Sequence, residues 1–159
     1  MPQTPTVNRR RDDHGLSLVE LVVIVVIIAI LLAVAVTSYL GARRRAEDRA
    51  AQVSLRLALT AAKAVHAEKQ SYSDATENPA TGLPKVEPSL TYAGADTESS
   101  RDNLVSVKAA ASEWAAAVNS TSGTCFFIHE TPEGTRYGTA GGGQRCTGTE
   151  ARTATGSSY

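Results

Sequence analysis

Apolar and polar positions divide this chain into sharply different stretches. Residues 21–36 read LVVIVVIIAILLAVAV, sixteen consecutive positions without a polar side chain. Extending back to Leu16 and forward to Leu40 gives 25 residues interrupted only by Ser17, Glu20, Thr37, Ser38 and Tyr39. As a helix this segment rises about 37 Å, enough to cross a hydrocarbon core of about 30 Å. Val and Ile are modest helix formers in water, but lipid offers backbone groups no outside partner, so a helix is the single-segment solution. The pattern predicts a membrane span over residues 16–40.

Helical character continues beyond it. From Ala42 to Gln70 there is no Gly or Pro, and Ala46, Ala50, Val53, Leu57, Ala61 and Ala64 recur at three- and four-residue steps. That stripe predicts an amphipathic half-helix over 41–70 whose apolar face carries a folded head. Arg45, Arg49, Arg56 and Lys63 lie off the stripe. One helix of roughly 55 residues follows, about 80 Å long, with two helices hinged at Gly41 as the alternative. Residues 71–101 hold Pro79, Pro84 and Pro88 among Ser, Thr, Asn and Gly, which reads as an extended surface loop. Strand signals occupy the remainder: Leu104–Val107, the ambiguous Ala-rich run Glu113–Val118, Cys125–Ile128, and Arg136-Tyr137 after the Pro132-Glu133-Gly134 turn. Three or four antiparallel strands packed on the helix stripe give an α+β fold, with Trp114, Phe127 and Leu57 as core. Residues 71–146 make this head, and 147–159, nearly free of apolar content, read as a flexible tail.

Charge and composition exclude several functions. Sixteen basic and sixteen acidic residues cancel, which argues against a general nucleic-acid binder. Aromatic residues make up 5% of the chain, too few to line a large enclosed cofactor pocket; no cofactor is expected. His66, His129, Cys125 and Cys146 match no metal-ligand spacing. Gly141-Gly142-Gly143 lacks the Lys-Ser or Lys-Thr of a phosphate-cradling loop. A Cys125 nucleophile served by His129 lacks a third orienting group, so no enzyme is expected. Asn119-Ser120-Thr121 fits a glycosylation sequon that arises often by chance. Arg43–Arg45 read as contacts to lipid headgroups or to acidic residues of other subunits. The two cysteines, 21 positions apart, permit one disulfide outside the cytoplasm.

Glu20 is the feature an ordinary span does not explain. A carboxylate near the start of an apolar helix costs a few kcal/mol in lipid unless it finds a partner. Three readings compete for the segment. A secretory signal peptide would use Arg9–Arg11 as its basic region and Ala33-Val34-Ala35 as its cleavage site. A plain anchor would keep the span uncut. The third reading starts from Gly15-Leu16-Ser17-Leu18-Val19-Glu20-Leu21, which follows the basic stretch RRRDDHG. This arrangement resembles the N-terminal motif of type IV prepilins: a short basic leader ending in Gly, an apolar residue after it, and a Glu as the fifth residue after the cut.

The resemblance implies a leader of residues 1–15, cleavage between Gly15 and Leu16 by a prepilin peptidase, and N-methylation of Leu16 by the same enzyme. It also implies a pilin-like fold, a frequent C-terminal disulfide (here Cys125–Cys146), and a leader on the cytoplasmic side. Charge alone leaves the orientation undecided, because Arg43, Arg44, Arg45 and Arg49 balance the leader. Two features depart from the family pattern. Leu16 stands where Phe is common, and Ala29 and Thr37 occupy the stretch where a helix-breaking Gly and Pro often occur. Chemistry gives Glu20 a role: the amine freed on Leu16 lies four residues away, on the same helical face. In a polymer, Glu20 can meet the ammonium of a neighbouring copy, and the cost of an unpaired buried charge favours one register.

The expected partners are therefore further copies of the chain in a helical homopolymer, the prepilin peptidase and methyltransferase, pilus or secretion assembly machinery, and the membrane. No specific nucleic acid is among them. The expected course runs from a single-pass precursor in the cytoplasmic membrane to an adhesive or motility pilus on the cell surface. The alternatives are a pseudopilin of type II secretion or competence, and a minor tip pilin or membrane-tethered binding protein.

Overall fold

The computed structural model describes residues 17–140 and 143–159. The chain divides into two compact units, residues 1–40 and 41–159. A single helix, α1 (Leu18–Lys69), contributes to both. In the first unit, every large apolar side chain of α1 from Leu18 to Leu40 is exposed. This is the surface expected of a segment whose solvent is lipid rather than water. The helix stops at Gln70, whose φ of 56° is left-handed. Gln70 donates its N–H to the His66 carbonyl at 2.7 Å and its side-chain amide to that of Ala67 at 3.2 Å, satisfying end groups the helix leaves open.

The second unit adds α2 (Leu83–Val86), strands β1 (Thr91–Ala93), β2 (Leu104–Ala109), β3 (Trp114–Asn119), β4 (Cys125–Thr131) and β5 (Gly134–Thr139), and a 3-10 turn at Glu150–Thr153. The sheet order is β1-β2-β3-β4-β5. Strands β2 to β5 form an antiparallel meander, while β1 pairs parallel to β2. The sheet is thus mixed and five-stranded, against the expected three or four antiparallel strands. The extra strand arises inside the segment read as a loop. After β1, residues 94–103 double back so that β2 runs in the same direction as β1.

That loop is held by the core rather than by its own pattern. Tyr72, Ala75, Leu83, Leu90 and Ser99 are buried. The Ser99 hydroxyl donates to the Leu104 carbonyl at 2.6 Å and accepts from the Asn119 N–H at 2.8 Å. Prolines at 79, 84 and 88 shape the backbone, but scattered long-range contacts leave no periodic signature.

Both faces of the sheet are covered. On one side α1 packs against Trp114, Ala116, Val118, Phe126 and Ile128. On the other, Ala115, Ala117, Cys125 and Phe127 meet Cys146, Ala151 and Ala154 from the end of the chain. Strand β3 is buried on both faces, so it shows an unbroken apolar run instead of alternation; this makes the run Glu113–Val118 ambiguous in the sequence. The tail expected to be flexible is instead this second layer. Gly148 donates its N–H to the buried Ser106 hydroxyl at 2.8 Å, and a Cβ on Gly148 would sit 2.7 Å from the Lys108 nitrogen. Tyr137 and Gly156 exchange backbone hydrogen bonds of 2.8 and 2.9 Å, and Tyr159 packs edge-on to Phe126 and Tyr137.

The expected apolar stripe also needs correction. The face of α1 that meets the sheet is Ala51, Ser54, Leu55, Ala58, Leu59, Ala61, Ala62 and Val65. It is turned roughly 100°, one residue step, from the stripe read in the sequence. Of the expected stripe only Ala61 is buried, and Leu57, expected in the core, is 40% exposed. Burying Leu55, Leu59 and Val65 removes more apolar area from water than burying an alanine-dominated stripe would. Trp114 and Phe127 are buried as expected.

Candidate functional site

Two regions bear on function, and each is built from local chain geometry. The first is the start of α1. Gly15 and Leu16, the expected cut, and the leader with Arg9–Arg11, lie outside the described residues. Ser17 precedes the helix and accepts its first backbone hydrogen bond, from Leu21 N–H at 3.0 Å. Glu20 falls in the first turn, where the partial positive charge of the helix N-terminus favours a carboxylate. It is surrounded along the helix by exposed apolar neighbours, Leu18 at 78% and Val19 at 68%, with Leu21 and Val22 following. Among the described residues no hydrogen bond or ion pair engages it.

The second region is the end of the sheet. Cys125 starts β4, and Cys146 lies within the returning tail; their sulfurs are at bonding distance, with Cα atoms 5.7 Å apart. Both cysteines are buried between the sheet and the tail. The Cys146 carbonyl accepts the Ser99 N–H at 2.8 Å, and the Cys125 carbonyl accepts the Ala140 N–H at 3.0 Å. A sulfur so engaged offers no thiolate nucleophile. His129 is 3.1 Å from a Glu113 carboxylate oxygen, and the other oxygen takes Arg152 at 2.5 Å. This cluster fastens the 3-10 turn to the sheet. His66 stacks on Tyr72 with ring centroids 4.3 Å apart. Among the described residues, no three His, Cys, Asp or Glu side chains converge as a metal site would need.

Several polar contacts that organise the head carry faint sequence signals. Glu130 lies on the inner side of β4, in step with Phe126 and Ile128, and is buried. Lys63 of α1 reaches it at 3.1 Å and the Thr135 hydroxyl donates to it at 2.5 Å. An acidic residue in phase with core positions is the signal that a helix cation must meet it. The Ser122 hydroxyl in the β3–β4 turn donates to Asp48 of α1. Burial, with Glu130 nearby, holds the Tyr72 phenol above its ordinary pKa. Tyr92 and Tyr159 are likewise pushed up, chiefly by burial, and their hydroxyls have no hydrogen-bond partner among the described residues. Two hydrogen bonds from Ser89 hold the exposed Glu87 carboxyl below its usual value.

Comparison with known proteins bears on the first region. Residues 10–36 match the family model described as the prokaryotic N-terminal methylation motif. No curated protein and no solved structure matches the chain. The motif implies processing by a prepilin peptidase and assembly into a pilus or secretion system, and with the apolar helix it suggests a membrane-anchored precursor. The matched methylation motif, the long N-terminal helix and the five-stranded mixed sheet together fit a type IV pilin-like protein.

Proposed function

We propose that this chain is a structural subunit of a type IV pilus, cut between Gly15 and Leu16, N-methylated on Leu16 and polymerised through its N-terminal helix. The observation that carries this reading is the methylation motif over residues 10–36, which spans the expected cut and Glu20. In the assembled fibre Glu20 pairs with the methylated ammonium of Leu16 from a neighbouring copy. Methylation keeps the positive charge, so the pair survives processing. An unmatched carboxylate in a low-dielectric core is strongly disfavoured, and only the register that supplies the amine avoids it. Cys125 and Cys146 form a disulfide once the head reaches the oxidising side of the membrane, closing the C-terminal loop that the fibre presents for adhesion.

Mass spectrometry of the mature N-terminus tests the reading, together with electron microscopy of the sheared cell-surface fraction. Methyl-Leu16 and fibres containing this chain support it. A start at Val36 returns the segment to a secretory signal, and an intact leader makes it a plain anchor. Methyl-Leu16 without surface fibres moves the chain to the pseudopilin class.

A further inference from the structure

We infer that Arg45 and Arg49, one helical turn apart on α1, form a binding site for the phosphate of an anionic phospholipid headgroup, where the chain leaves the membrane. The inference rests on the reading of residues 16–40 as a membrane span and is independent of fibre formation. Between Glu20 and Gly41 lie twenty residues without a charged side chain. As a helix they rise about 30 Å, one hydrocarbon thickness. The first charged side chains beyond them are Arg43, Arg44 and Arg45, with Arg49 one turn further on.

Local chemistry singles out two of these four. Arg43 donates to Glu47 at 2.9 Å and so already has its anion. Asp48, four residues after Arg44, accepts the Ser122 hydroxyl. The residue four after Arg45 is Arg49, and like charges at this spacing share a helical face and repel. Both are exposed, and neither has an ion-pair partner among the described residues. An anion between the two guanidinium groups turns that repulsion into attraction, and each guanidinium presents its N–H donors as a fork that matches phosphate. The approach is open: Gly41 lies four residues before Arg45 on the same face, and a Cβ placed on it would meet nothing within 4 Å. The Cα–Cβ bonds of an α-helix tilt toward its N-terminus, so Arg45 leans over the turn of Gly41 and Arg49 over that of Arg45. Both therefore lean toward the residues at which the apolar segment ends, the level of the headgroups. Headgroups are the anions that surround a single chain there before any protein partner arrives, which makes phospholipid the occupant.

Native mass spectrometry of the full-length chain, released from micelles holding phosphatidylglycerol and phosphatidylcholine in equal amounts, tests this. Phosphatidylglycerol adducts should exceed phosphatidylcholine adducts by about twentyfold, because each arginine at an anionic surface contributes about fivefold. Arg45→Gln with Arg49→Gln should bring the two adducts close to even. Arg136→Gln, at an exposed position of β5, should leave the preference unchanged. Phosphatidylcholine adducts on the double variant show that its span still takes up lipid, so the lost preference belongs to the two arginines. Equal adducts on the unmodified chain, a preference that survives in the double variant, or an equal loss in Arg136→Gln overturns the inference. Inorganic phosphate replacing the lipid adducts when both are supplied overturns it as well, since the pair then takes a free anion. So do dimers that vanish in the double variant while the unmodified chain shows no lipid preference. A failed preference leaves the pilus reading intact, and a lack of fibres leaves this site intact.

Discussion

The indole Nε1 of Trp114 donates a hydrogen bond to the Ala75 carbonyl oxygen at 3.0 Å, across 39 residues of chain. It joins the start of β3 to the segment that leaves α1, at a point where both are buried. That bond converts a proline-rich connection into part of the core, because an unpaired carbonyl there would be costly.

Trp114→Phe removes the donor and leaves a small void, so the head should lose about 2–4 kcal/mol. Thermal unfolding followed by circular dichroism measures this. Trp114 is the single tryptophan, so its fluorescence reports unfolding of the unmodified chain only. An unchanged midpoint would mean that the connection is held by other contacts.

Processing and assembly should separate by mutation. Gly15→Val should leave the full-length precursor in the membrane, seen as retained mass. Glu20→Leu should insert and be cut normally but give few fibres; a fibre yield equal to that of the unmodified chain would remove the register role of Glu20.

The Cys125–Cys146 bridge closes a loop with a sequence separation of 21, for which chain entropy gives about 3 kcal/mol. Cys146→Ser should lower the stability of the head by about that amount and loosen the tail, read as faster hydrogen exchange at Gly148 and Tyr159. Non-reducing peptide mapping should recover the linked pair from the unmodified protein.

Tyr72, Tyr92 and Tyr159 all have phenols raised above the ordinary value. Below pH about 10 both folded and unfolded forms keep these protons, and the shifts contribute nothing. As pH rises past that point the unfolded chain ionises first, so stability should fall. Tyr92→Phe and Tyr159→Phe should flatten the alkaline slope. Each also deletes a buried hydroxyl without a partner among the described residues, so at neutral pH stability should rise by about 1 kcal/mol. Denaturant midpoints between pH 7 and 11 check both effects.

Among the described residues, Lys63→Met leaves the buried Glu130 with Thr135 as its hydrogen-bond partner. Because Lys63 is half exposed, solvent screens part of the pair, and the loss should be about 1–2 kcal/mol. The double variant Lys63→Met with Glu130→Gln should recover most of it, as measured by a double-mutant cycle.

What the sequence determined alone is whatever depends on residues close together in the chain. The span is legible because sixteen adjacent apolar positions permit one structure in lipid, and the motif because its glycine and glutamate lie five residues apart. Cys125–Ile128 was readable as a strand, and the two cysteines as a pair, from type and number alone. The tertiary structure decided the rest. Two stripes on α1 have equal periodicity, and only the sheet, by covering Leu55 and Leu59, selects which one faces inward and leaves Val53 and Leu57 outside. The tail after Cys146 has little apolar content of its own. It becomes a core layer because Ala151 and Ala154 find partners on β3 and β4, and because Gly148 lets the backbone touch β2, while Tyr159 reaches round to Phe126 and Tyr137 on the helix side. Strand β1 exists through its pairing with β2. Local patterns record how much apolar surface a segment has; which neighbour covers it is a property of the whole fold.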